Sequence, residues 1–177
     1  MFKKIFILVC LLALLGAGAY FGRRYFEDKR VHRFDALIAK VAAENSIDPQ
    51  LVRAVVWRET NFVPESVGLD GERGLMQLMP DAAADYARIK RIRNFNMDSL
   101  FDPETNLRVG SWYLSRALAR WKEKDSPLTF ALAEYNAGRR NALRWAAVNG
   151  EQTTAAEFMT AMDFPTTAKY VRTIMAK

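Results

Sequence analysis

In a chain of 177 residues with one cysteine and one histidine, chemistry has to run on carboxylates, hydroxyls and amides. Cys10 lies in an apolar N-terminal run, so the body of the protein has no intrachain disulfide, thiolate metal site or cysteine nucleophile. With His32 as the only imidazole, a zinc site or a Ser-His-Asp triad is nearly excluded, and no metal site is expected. Among the carboxylates, Glu59 has a distinctive setting. It follows Val55 by four residues, Val56 by three and Val52 by seven, which puts it on the apolar face of the helix that carries them. Burial disfavours the ionised carboxyl, and so does the negative end of the dipole in a helix's last turn. Both effects push the pKa towards the range a general acid needs near neutral pH. A solvated residue at a helix end would instead titrate normally.

The elements that must position Glu59 are helical. Val31 to Asn45 repeats apolar residues at helical spacing, through Phe34, Leu37, Ile38, Val41 and Ala42. Asp48-Pro49 has the form of an N-cap followed by proline in the first turn, and Asp102-Pro103 and Ser126-Pro127 repeat it. Gly138 after Asn136-Ala137 reads as a helix stop. Shorter helices are expected over 81–88, 141–148, 155–162 and 166–176. Glu65 to Arg73, with Gly68 and Gly71, reads as a polar loop with room for a short hairpin. No segment alternates long enough for a confident strand. The fold class is therefore all-α: one helical domain over 31–177 with one long irregular loop.

The first 22 residues are different. Lys3 and Lys4 precede a continuous apolar run from Ile5 to Leu15, and Gly16-Ala17-Gly18-Ala19 supplies small residues where a signal peptidase cuts, after Ala19. Extended to Gly22 the run reaches 18 residues, enough for one membrane span. Residues 1–22 are thus either a removed signal peptide or a retained anchor, with 23–30 as a short basic linker, and the protein is exported or tethered to the membrane. The formal charge of +6 suits an anionic polymer or membrane surface. The run Arg88, Lys90, Arg91, Arg93 reads as a solvated patch, not a nucleic acid interface.

Three ordered blocks then resemble the soluble lytic transglycosylase family, a branch of the goose-type lysozyme superfamily. They are Arg58-Glu59-Thr60-Asn61-Phe62, Gly74-Leu75-Met76-Gln77-Leu78-Met79-Pro80 and Ala133-Glu134-Tyr135-Asn136-Ala137-Gly138. Phe101 to Leu107, Gly110 to Leu114 and Pro165 to Val171 are similar to further family segments, so the resemblance runs from about Val31 to Met175. It implies a lysozyme-like helical domain and a peptidoglycan lytic transglycosylase, with Glu59 as the single catalytic acid/base and no cofactor. The partner it implies is the peptidoglycan glycan strand, met in the periplasm or cell envelope. Gln77 and Met79 would line the sugar groove, with Tyr135 and Asn136 across it and the Tyr135 hydroxyl near the catalytic carboxylate. An amide at Gln77 inside an apolar run needs a partner in any case, and a sugar hydroxyl or N-acetyl group would suit it. Asn136 could simply cap its helix. Trp57, Trp112, Trp121 and Trp145 read as core.

Two positions depart from the family pattern. Gly68 stands where serine is common, and Thr166 where a carboxylate is expected, which puts subsite affinity in doubt. The alternatives are a lysozyme-like hydrolase with Asp70 or Glu72 as second carboxylate, a wall-binding module without turnover, and nucleic acid binding.

Overall fold

The computed structural model describes residues 2–177; within the first helix, the side chains of Lys4, Ile5, Leu8, Val9 and Cys10 are outside the described set. The expectations that fall on Met1 and on the Cys10 side chain therefore lie outside the described residues. Helices account for the architecture: α1 Phe2–His32, α2 Asp35–Glu44, α3 Pro49–Thr60, α4 Pro80–Ile89, α5 Pro103–Arg120, α6 Pro127–Ala137, α7 Arg139–Ala146, α8 Ala155–Ala161 and α9 Pro165–Met175. Among the described residues there are no strands, only isolated antiparallel bridges Val67–Arg73 and Arg73–Leu78 in the long loop.

The expected helix starts are present. Asp48 Oδ1 accepts from the Gln50 N–H at 2.8 Å, and Asp102 Oδ2 accepts from the Thr105 N–H at 2.8 Å, each beside a first-turn proline. Ser126 departs from this pattern. Its hydroxyl bonds Thr129 Oγ1 at 2.8 Å and caps no backbone N–H. The helix expected over 31–45 is divided: α1 runs on to His32 and α2 begins at Asp35, because Phe34 turns inward to the core at non-helical ψ. Residues 23–30, expected as a linker, are helix continuous with the apolar run. No helix among the described residues is long and apolar enough to cross a membrane. The run 5–22 includes four of the side chains outside that set.

The hydrophobic core sits around α5 and α6. α6 presents Phe130, Ala131, Leu132 and Ala133 fully buried, and α5 adds Leu107, Val109 and Leu114. α9, α7 and α8 pack on α6, while α2 and α4 pack on α5. Phe130 and Phe158 stack with centroids 4.0 Å apart, flanked by Trp121 at 5.2 Å from Phe130. Trp112, Trp121 and Trp145 are buried as expected, and Trp57 is half-buried against the core under the Lys177 ammonium. Arg88, Lys90, Arg91 and Arg93 are exposed.

Candidate active site

Glu59 stands in the last turn of α3, and α3 packs against α2 and α9. Its position on the apolar face is as the spacing predicts: Val52, Val55 and Val56 are buried beneath it. The carboxyl is pushed up to about 7 from the ordinary 4.5, first by burial, while the Tyr170 hydrogen bond and the Arg58 charge pull the other way and the Glu72 charge adds to the rise. The Tyr170 hydroxyl, from α9, donates to Glu59 Oε1 at 2.7 Å. Tyr170 is 1% exposed, and the Arg58 guanidinium lies 5.4 Å over its ring.

The family resemblance assigns the hydroxyl near Glu59 to Tyr135. In the structure that hydroxyl donates instead to the Met76 carbonyl at 2.8 Å, although Tyr135 is close enough for the Glu59 charge to raise its own pKa after burial. Tyr170 belongs to the closing segment 165–171, in which the resemblance attaches a role to position 166 and none to Tyr170. The sequence does carry a signal for it: Thr167, Tyr170, Val171 and Ile174 form the buried face of α9, and a phenol on a core stripe needs a partner for its hydroxyl. Since Tyr170 bonds the ionised carboxylate, Tyr170→Phe is expected to move the Glu59 pKa above about 7, read from the carboxyl carbon in an NMR titration. An unchanged midpoint would mean that the bond does not form.

The loop that faces Glu59 is locked from behind by Asn106 of α5, which is fully buried. Its Oδ1 accepts from the Met76 N–H at 2.8 Å, and its Nδ2 donates to the Arg73 and Leu100 carbonyls, each at 2.8 Å. Gly74 makes this possible. Its φ is +72°, and a Cβ there would meet the Leu100 carbonyl at 2.2 Å and Asn106 Nδ2 at 2.3 Å. Thr60 ties the end of α3 to the same loop, its hydroxyl donating to the Leu75 carbonyl at 2.9 Å. Asn106→Leu would orphan one N–H and two carbonyls, so a loss of about 3 kcal/mol or more is expected in urea unfolding. A loss below about 1 kcal/mol would mean the loop is held by something else.

Gln77, at φ +46°, finds its partners within the chain: Nε2 donates to the carbonyls of Gly74 at 3.0 Å and Ser66 at 3.3 Å. That leaves Oε1 as the open group. Met79 is 41% exposed, whereas Leu75 and Leu78 are core. Asn136 is exposed at the end of α6, and its Oδ1 accepts from Thr167 Oγ1 at 2.7 Å, which connects α6 to α9. The helix is stopped by Gly138 at φ +83°. Gln77, Met79, Tyr135 and Asn136 all line one cavity of about 490 Å³, shared with Tyr113 and four carboxylates, Asp70, Glu72, Asp81 and Asp85. Glu59 is not on this wall, but it is near two residues that are: the Glu72 charge acts on Glu59, and the Glu59 charge acts on Tyr135. Among the described residues no group of three histidine, cysteine or carboxylate side chains could hold a metal ion. The arrangement is a carboxyl that titrates near neutral pH close to a groove lined by two tyrosines and four carboxylates.

The chain is similar in sequence to the membrane-bound lytic murein transglycosylase F of Desulfosudis oleivorans, 35% identical over 112 residues that make up 62% of this chain and 23% of that protein. The soluble lytic murein transglycosylase of Escherichia coli is 25% identical over 153 residues, 86% of this chain and 23% of that protein. The chain thus spans less than a quarter of the length of either relative. The crystal structure of the 70 kDa soluble lytic transglycosylase from Escherichia coli superposes with a TM-score of 0.72 at 26% identity, covering 81% of this chain and 23% of that one. A complex of the 70 kDa soluble lytic transglycosylase with bulgecin A gives a TM-score of 0.74 at 25% identity, over 85% of this chain and 24% of that one. With the family model matching residues 36–158, from α2 into α8, the chain belongs to the transglycosylase SLT domain family.

Proposed function

We propose that this protein is a peptidoglycan lytic transglycosylase in which Glu59 is the single acid/base. The observation that carries the reading is a carboxyl held at a pKa of about 7 beside a polar groove, which lets one group both give and take a proton near neutral pH. Ordinary glycosidases divide that work between two carboxylates. One suffices when the substrate supplies the nucleophile. Glu59 protonates the oxygen linking N-acetylmuramic acid to N-acetylglucosamine, and that bond breaks as the muramoyl N-acetyl carbonyl shields the anomeric carbon. The resulting Glu59 carboxylate takes the proton of the 6-hydroxyl, whose oxygen closes on the anomeric carbon as a 1,6-anhydro ring. Glu59 ends the cycle protonated, as it began.

Gln77, Met79, Tyr135 and Asn136 form the sugar groove in this reading. Gln77 contributes through its Oε1, since its Nε2 is engaged within the loop. Tyr135 acts through its ring, since its hydroxyl is held by Met76. The names of the relatives, membrane-bound and soluble murein transglycosylases, support a place in the cell envelope. Residues 5–22, if retained, tether the domain to the membrane.

The test is mass spectrometry of soluble products from purified peptidoglycan treated with the full chain and, in parallel, with Glu59→Gln. Muropeptides one water lighter than hydrolysis products, absent with the variant, are expected. Products of hydrolytic mass would make the protein a lysozyme-like hydrolase and direct attention to Asp70 and Glu72. Glycan binding without turnover would make it a wall-binding module.

A further inference from the structure

The loop 68–77 brings two acceptor oxygens to one point with no donor between them. Gly68 and Glu72 close a tight turn, the Gly68 N–H donating to the Glu72 carbonyl at 2.8 Å and the Gly71 N–H to the Gly68 carbonyl at 3.2 Å. The Glu72 side chain then folds back over Gly68. A Cβ on Gly68 would lie 2.1 Å from Glu72 Oε2 and 2.9 Å from Gln77 Oε1, so both oxygens crowd the space that a side chain at 68 would fill. The Gln77 orientation is fixed by its two Nε2 bonds, which turn the carbonyl oxygen out. Glu72 Oε2 receives only the Asp70 N–H at 3.0 Å, and among the described residues nothing donates to Glu72 Oε1 or Gln77 Oε1. Both residues line the 490 Å³ cavity. Two acceptors placed side by side repel each other until a donor bridges them.

We infer that Glu72, seated on Gly68 and paired with Gln77, is a substrate-binding residue that accepts a hydrogen bond from a donor on the bound sugar, an acetamido N–H or a ring hydroxyl. This deepens the glycan-groove reading and rests on it. The absence of a side chain at 68 is then a requirement of the subsite. A larger residue there would displace the Glu72 carboxylate, and Glu72 takes over contact that Gly68 itself cannot make.

Binding separates this inference from the proposed reaction. The probe is the N-acetylglucosamine tetramer, titrated calorimetrically into the full chain in detergent, with Glu59→Gln as the parent so that no turnover intervenes. Glu72→Ala is expected to weaken binding about 10- to 100-fold, the effect of losing a hydrogen bond to a charged group. Gly68→Ala should weaken it similarly by pushing the carboxylate aside. The double variant should bind no more weakly than either single one, because both remove the same contact. Thermal melts within a few degrees of the parent, as expected for two half-buried positions away from the core, confirm that the fold is intact. The inference is overturned if Glu72→Ala binds as tightly as the parent, if the two losses multiply, or if the parent does not bind the tetramer. Binding through Glu72 in a protein that releases no anhydro products would keep the subsite and remove the reaction.

Discussion

Replacing Glu59 by glutamine is expected to abolish turnover and, at the same time, to stabilise the fold. The kinetic loss should be about 10³-fold or more, since the amide can neither donate a proton to the leaving oxygen nor take one back. The stability gain follows from linkage. Glu59 titrates near 7 in the folded protein against an ordinary 4.5 once the chain unfolds, so between those values the folded state binds more protons than the unfolded one. Stability contributed by this site is therefore complete below about 4.5, falls as pH rises, and is lost by about 7. The full penalty is about 3 kcal/mol. Glutamine avoids ionisation, so it removes that penalty above pH 7 and changes little below pH 4.5. For a domain of this size the variant should melt roughly 6–12 °C above wild type at about pH 8, with the gap closing as the pH is lowered. A melting difference that does not change with pH would mean that Glu59 is solvated and would remove the basis for its role.

Arg120→Ala should produce the largest loss of stability. Glu134 on α6 is 2% exposed and its carboxylate has two partners, the Arg120 guanidinium and Trp121 Nε1 at 2.7 Å. Removing the arginine leaves an ionised group in the core with a single neutral donor. A cost of about 3–5 kcal/mol is expected in urea unfolding. The joint change Arg120→Met with Glu134→Leu should recover most of this, because two apolar groups need no solvation, and the unpaired indole N–H remains as the residual cost. If Arg120→Ala costs under about 1 kcal/mol, water reaches Glu134 and the pair is not a core interaction. The consequence for function is positional. Glu134 immediately precedes Tyr135 and Asn136, so the same pair anchors the end of α6 that forms one wall of the groove.

The kinetic and structural effects meet at the loop 66–79. Asn106 holds it from the core side, where Gly74 allows the close approach, Thr60 from α3 and Tyr135 from α6, so four hydrogen bonds from three side chains fix one short segment near Glu59. That convergence explains how an irregular loop can carry a binding surface: its backbone polar groups are satisfied by buried partners, as a packed loop requires.

The sequence by itself determined the all-helical class, most helix starts and the position of Glu59 on an apolar face. These are local matters. Caps, prolines and a 3.6-residue period act within a turn or two, and Asp48, Asp102 and Gly138 do here what such residues do anywhere. The motif blocks pointed to the groove residues. Which hydroxyl serves Glu59 was decided only by tertiary structure, because Tyr170 lies 111 positions away and reaches it through the packing of α9 on α3. The same holds for Gln77, whose φ of +46° points its amide into its own loop, and for Asn106, which bonds three backbone groups that no sequence spacing connects. By its residue type Gly68 is a missing contact; in the fold Glu72 occupies the space it leaves. Helical periodicity reports which face of an element is buried. It carries no information about which polar atom from another element arrives there, and in this protein those arrivals adjust a proton affinity raised first by burial and set the acceptor pattern of the site.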